Sequence, residues 1–137
     1  MGERIGYRME RSDRLQSRDM NKYQSLVAWQ RAHEVLLLTL RETDSAYHPR
    51  SRALFDQVRR ATISVEANIV EGYGLGSPLQ FRRHLRIAMG SAAEAESLTR
   101  AAAELNYLSP VVAARIGHLL ERTMAAMYGL IRRPLRS

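Results

Sequence analysis

The chain contains no cysteine. Disulfide frameworks, thiol nucleophiles and cysteine-ligated zinc are therefore excluded. Lysine is nearly absent as well. Lys22 is the only one, so almost all of the positive charge is arginine. Aromatic residues make up only 7%, a share that suits a helical protein better than a β-sandwich. Four prolines and eight glycines occur, several of them gathered in turn-like stretches. No long apolar run is present. The best, Val35 to Leu38, falls far short of the roughly 20 residues that a membrane span needs. The first twenty residues hold no apolar stretch of the kind a secretory signal requires. No membrane contact is expected, and a cytoplasmic location is the default.

The 137 residues suffice for one domain with a real core and are too few for two ordinary ones. The formal net charge is +7. Arginine makes bidentate contacts with phosphate, and basic chains attract polyanions at long range. Residues 1–20 mix Arg4, Arg8, Arg11, Arg14 and Arg18 with Glu3, Glu10, Asp13 and Asp19, and their apolar residues are sparse. This segment is expected to be a flexible tail, with Met20 a candidate natural start. Residues 21–137 form the expected folded domain.

Apolar residues then recur at helical spacing. Leu26, Trp29, Leu36 and Leu40 mark a first stripe, widened by Ala32, Val35 and Leu37. Leu54, Val58, Ala61, Val65 and Ile69 mark a second, with Ser51 or its neighbour as the expected N-cap and Gly72 placed as a C-cap glycine. Ser77-Pro78 and Ser109-Pro110 each read as an N-cap followed by proline at the first helical position. They open a third stripe (Phe81, Leu85, Ala88, Ala92, Ala95, Leu98, Ala102) and a fourth (Val112, Ile116, Leu119, Thr123, Met127, Leu130). Asn106-Tyr107-Leu108 makes the turn between them. Four amphipathic helices with short loops predict an all-α, up-down-up-down antiparallel four-helix bundle.

Chemistry-bearing constellations are few. A di-metal bundle needs Glu three residues before a ligating His, and none of His33, His48, His84 and His118 has one. No metal or other cofactor is expected. His33 reads as a hydrogen-bonded core or interface residue. Gly72, Gly74 and Gly76 follow no strand and lack a Lys-Ser/Thr signature, so they read as a tight interhelical turn rather than a phosphate loop. Ser64, Asn68, Glu71, Ser91, Glu94 and Glu96 are placed to gather where the second and third helices meet. They include no strong nucleophile with an oriented base. They are expected to form a structural polar joint, with Gly90-Ser91 letting two backbones approach. No catalytic residue is assigned.

The arginines are the better candidates for function. Arg82, Arg83 and Arg86 form a basic patch early in the third helix. Arg59 and Arg60 lie on the second, and Arg132, Arg133 and Arg136 close the chain. Phosphate contact with low sequence specificity is the expected chemistry. Few aromatics interleave with these arginines in the sequence, so base stacking has little support at this level.

Several segments together carry a family resemblance. They are Val27-Ala28-Trp29-Gln30, Ala32-His33-Glu34, Gln57-Val58-Arg59-Arg60-Ala61, Ala67-Asn68-Ile69, Glu71-Gly72-Tyr73-Gly74, Gly90-Ser91, Glu94-x-Glu96 and Tyr107-Leu108. Over residues 22–132 they resemble the 23S rRNA intervening-sequence proteins, a group that includes the accessory variability determinants of diversity-generating retroelements. The resemblance implies a four-helix bundle that assembles as a ring-shaped homopentamer and has no established enzymatic activity. In the retroelement branch it implies binding of RNA or DNA and association with a reverse transcriptase. On this basis the chain is expected to be a non-enzymatic nucleic-acid-binding protein, or else an adaptor for a reverse transcriptase or other gene neighbour. Two departures stand out. Glu66 occupies the place of a proline usual in the family, and Gly74-Leu75-Gly76 lacks a basic residue that often follows the second glycine.

Overall fold

The computed structural model describes residues 22–134. The expected tail at residues 1–20, and Arg136, lie outside the described residues. Four α-helices account for most of the rest: α1 (Val27–Ser45), α2 (Arg52–Gly74), α3 (Pro78–Glu104) and α4 (Pro110–Ile131). Short 3-10 turns, Lys22–Ser25 and Pro49–Ser51, precede α1 and α2. Each helix packs on its neighbours in chain order and α1 closes on α4, as in an up-down-up-down bundle. The tightest pair is α2 with α3.

The helix starts follow local chemistry. Ser77 Oγ accepts a hydrogen bond from the Gln80 amide, and Ser109 Oγ accepts one from the Val112 amide, each with proline at the first helical position. Ser51 does not cap α2. Its hydroxyl turns back to His48, whose carbonyl it contacts at 2.9 Å, and His48 Nδ1 accepts from the Arg50 amide. The two residues close a capping box around the Pro49 turn instead.

The helix ends differ from expectation in one place. Gly72 is not a cap, because α2 runs on to Gly74. The residue that turns the chain is Gly76, whose φ is +74°, a conformation that glycine adopts without penalty. Asn106 plays the same part after α3 with φ +61°. Tyr107 and Leu108 both donate their amides back to the Ala102 carbonyl, which closes the last turn of the helix.

The core is built from small side chains. Among the described residues, eight of the eighteen buried apolar side chains are alanine, and Phe55 is the one aromatic among them. Six buried polar residues join them, five of them threonines. Thr43, Thr62, Thr99 and Thr123 each donate to the carbonyl four residues earlier at 2.7 Å. Thr39 Oγ1 has no partner among the described residues. The expected stripes of α2, α3 and α4 largely coincide with the buried faces. That of α1 is rotated: Ala28, Ala32, Val35, Thr39 and Thr43 are buried, while Leu26, Trp29, Leu36 and Leu40 are half-buried along the flank. No described helix is long and apolar enough to cross a membrane.

Candidate nucleic-acid interface

The α2–α3 seam carries a ladder of polar contacts. Gln57 Nε2 donates to Glu94 Oε1 at 2.5 Å. The Ser64 and Ser91 hydroxyls meet at 2.8 Å. Asn68 Nδ2 donates to the Ser64 carbonyl at 2.9 Å and to its hydroxyl at 3.1 Å. Asn68 Oδ1 is therefore the acceptor at its other end, and His84 Nδ1 donates to it at 3.0 Å. This is the expected polar joint, with His84 as a member that sequence reasoning did not include. The signal was available, because His84 sits seven residues before Ser91 on the same helical face.

Close approach is confined to one glycine of the signature. A Cβ on Gly72 stands 2.5 Å from His84 Cβ, whereas a Cβ on Gly90 meets nothing within 4 Å. Gly90 therefore does not serve the close packing expected of it. Glu71 is exposed and Glu96 pairs with Arg100 at 2.6 Å on its own helix. Neither joins the ladder.

Glu66 explains a second cluster. Its carboxylate reaches across from α2 to α1. Trp29 Nε1 donates to Glu66 Oε1 at 3.1 Å, and His33 Nδ1 lies 3.0 Å from the same oxygen. The His33 and Trp29 rings stack at 4.7 Å, and Tyr23 meets Trp29 edge-on at 5.3 Å. His33 is hydrogen-bonded as expected, but its side chain is 41% exposed and lies outside the core.

The candidate arginines separate into two groups. Arg59 is committed to the fold: its guanidinium pairs with Asp44 and donates to Thr43 Oγ1 at 2.8 Å. Arg60 donates to Gln57, which in turn holds Glu94. By contrast Arg83, Arg86, Arg132 and Arg133 are exposed and Arg82 is half-buried. The antiparallel topology brings these five together, because the start of α3 and the end of α4 lie at the same end of the bundle. Arg82 Nη2 donates to the Arg133 carbonyl at 2.6 Å and joins the two runs.

Charge is strongly polarised as a result. The half of the bundle that holds these five arginines and Lys22 also holds Arg31, against three carboxylates, Glu34, Glu66 and Glu71. Among the described residues elsewhere, eight arginines stand against seven carboxylates. Most of the described net positive charge therefore sits in this half, which carries +4 of a net +5. The described residues contain no group of three or more His, Asp or Glu side chains placed to hold a metal.

A family profile described as 23S rRNA-intervening sequence protein matches residues 24–129. No curated protein matches the chain at a significant level. The family match runs through all four helices and takes in both the polar joint and the α3 arginines. The chain belongs to the 23S rRNA-intervening sequence protein family.

Proposed function

We propose that this protein is a non-enzymatic, oligomeric scaffold that binds nucleic acid through phosphate contacts of low sequence specificity. The observation that carries the reading is the gathering of net charge at the end formed by Arg82, Arg83, Arg86, Arg132 and Arg133. Self-association, with a homopentamer as the family resemblance implies, is supported by the exposed apolar residues Ile63, Leu79 and Ile87 on α2 and α3. In any cyclic assembly, symmetry-related points share one height along the axis. The basic ends of all copies are then presented together, and weak single contacts sum by avidity.

Titration of labelled RNA and DNA at two salt concentrations tests the reading. Affinity is expected to fall steeply with salt, and neutralising Arg82, Arg83 and Arg86 to lower the salt slope by about 1 per lost phosphate contact. Absent binding at low salt, or binding indifferent to salt, overturns it. The same exposed apolar residues support a second reading, an adaptor for a reverse transcriptase. Retention of that partner in a pull-down after nuclease treatment favours the second over the first.

A further inference from the structure

The fold leaves an exposed aromatic ring, Tyr128, beside the end arginines. Tyr128 lies one helical turn before Arg132, and the Arg132 guanidinium sits over its ring, 5.4 Å from the centroid. More than half of Tyr128 is exposed, at 53%. It also stands on the side of α4 that borders α3. Glu121, two turns earlier on the same stripe, lines the α3–α4 groove with Glu96 and Arg100. The Arg82–Arg133 contact fixes the antiparallel register. Stepping one turn back along α4 from Arg132 reaches Tyr128, and one turn forward along α3 from Arg82 reaches Arg86. The register brings these two level. An exposed ring thus sits beside Arg132 on its own helix, at the same end of the bundle as Arg86 on α3.

We infer that this end of the bundle binds unpaired nucleic-acid strands, with Tyr128 as a platform on which a base stacks. The inference rests on the nucleic-acid reading above and narrows its partner class. Phosphate contacts alone treat a duplex and a single strand alike apart from charge density. An open aromatic face adds a term that only an unstacked base can use, because the faces of paired bases are covered by their neighbours in the duplex. Arg132 orients the ring through the cation–π contact and leaves it next to the cations that hold the backbone. Base identity matters little, since every base has a π face.

The test uses the full-length protein and three fluorescent probes of equal phosphate number, each of about a dozen nucleotides, in the usual range of single-strand sites. One is an oligothymidylate, one is its abasic counterpart, and one is a duplex. The oligothymidylate is expected to bind at least about fivefold tighter than the abasic strand, the smallest gain that base–aromatic stacking usually gives. Tyr128→Phe keeps this advantage. Tyr128→Leu brings the oligothymidylate down to the abasic level measured on the same variant. Equal affinity for the oligothymidylate and abasic probes in the native protein overturns the inference, as does a Tyr128→Leu variant that keeps the difference. Salt-sensitive binding of all three probes without a base-dependent term removes the stacking platform and leaves the phosphate reading standing. Failure of all three to bind removes both.

Discussion

Replacing Gly72 by alanine sets two opposing terms against each other. Within an α-helix, alanine is favoured over glycine by about 1 kcal/mol. At Gly72, however, the new Cβ lands 2.5 Å from His84 Cβ and 3.3 Å from a Phe81 ring carbon. Carbon atoms rest at about 3.5–4.0 Å. His84 Cβ is bonded directly to the α3 backbone, so no rotamer change relieves the clash. The helices must separate by about 1 Å at this level, and such overpacking typically costs about 1–3 kcal/mol. Separation also stretches the hydrogen bond from His84 to Asn68, which contributes about 1 kcal/mol. The net expectation is a destabilisation of about 1–3 kcal/mol, or a urea midpoint lowered by about 0.5–1.5 M for a slope near 2 kcal/mol/M. Gly90→Ala is the matched control. It lies inside α3 with no atom within 4 Å of the new Cβ, so it is expected to stabilise by about 0.5–1 kcal/mol. Both variants are measured by equilibrium urea unfolding at one fixed protein concentration, because the proposed self-association would make stability concentration-dependent. A Gly72→Ala variant as stable as the parent, or a Gly90→Ala variant that loses stability to the same extent, refutes the reasoning.

Three further outcomes follow from particular contacts. Thr39→Val removes a buried hydroxyl that has no partner and keeps the shape, so unfolding free energy is expected to rise by about 1 kcal/mol; a loss in urea titration contradicts this. Glu66→Leu strips the acceptor from Trp29 Nε1 and His33 Nδ1. It is expected to cost about 1–2 kcal/mol and to shift the emission of the only tryptophan; unchanged emission and stability argue against the contact. Arg59→Ala should destabilise by about 1 kcal/mol through loss of its Asp44 and Thr43 partners and leave nucleic-acid affinity unaltered. Arg83→Ala should do the reverse, and filter binding beside thermal unfolding separates the two.

Helix number, order and most boundaries were legible, since they rest on 3.6-residue periodicity and on the Ser-Pro starts. Where the reading failed, small residues were the cause. Large apolar side chains dominate any visual stripe, so the pattern of α1 centres on Leu36 and Leu40, while the structure also buries Ala28, Thr39 and Thr43. Glycine was misjudged for a related reason. Gly72 at a helix end looks like a cap, but its role depends on what lies across the seam, and a linear chain does not show that His84 lies there. Arg59 and Arg60 were indistinguishable from the other arginines until the fold supplied Asp44 and Gln57 as neighbours. The Tyr128–Arg132 pair was within reach of a four-residue spacing rule, yet its position at the same end of the bundle as Arg86 is a property of tertiary register alone.

The alanine- and threonine-lined interior has a consequence for how this protein can change over generations. A core of large side chains offers alternatives of similar volume, and compensating swaps keep it filled. Here most interior positions on α3 (Ala88, Ala92, Ala95, Ala102) are fully buried alanines, where a larger side chain typically overpacks the core. Variation is therefore directed outward, onto the exposed sides of the helices and the arginine-bearing end. In this bundle the interior is intolerant of substitution and the exterior is permissive.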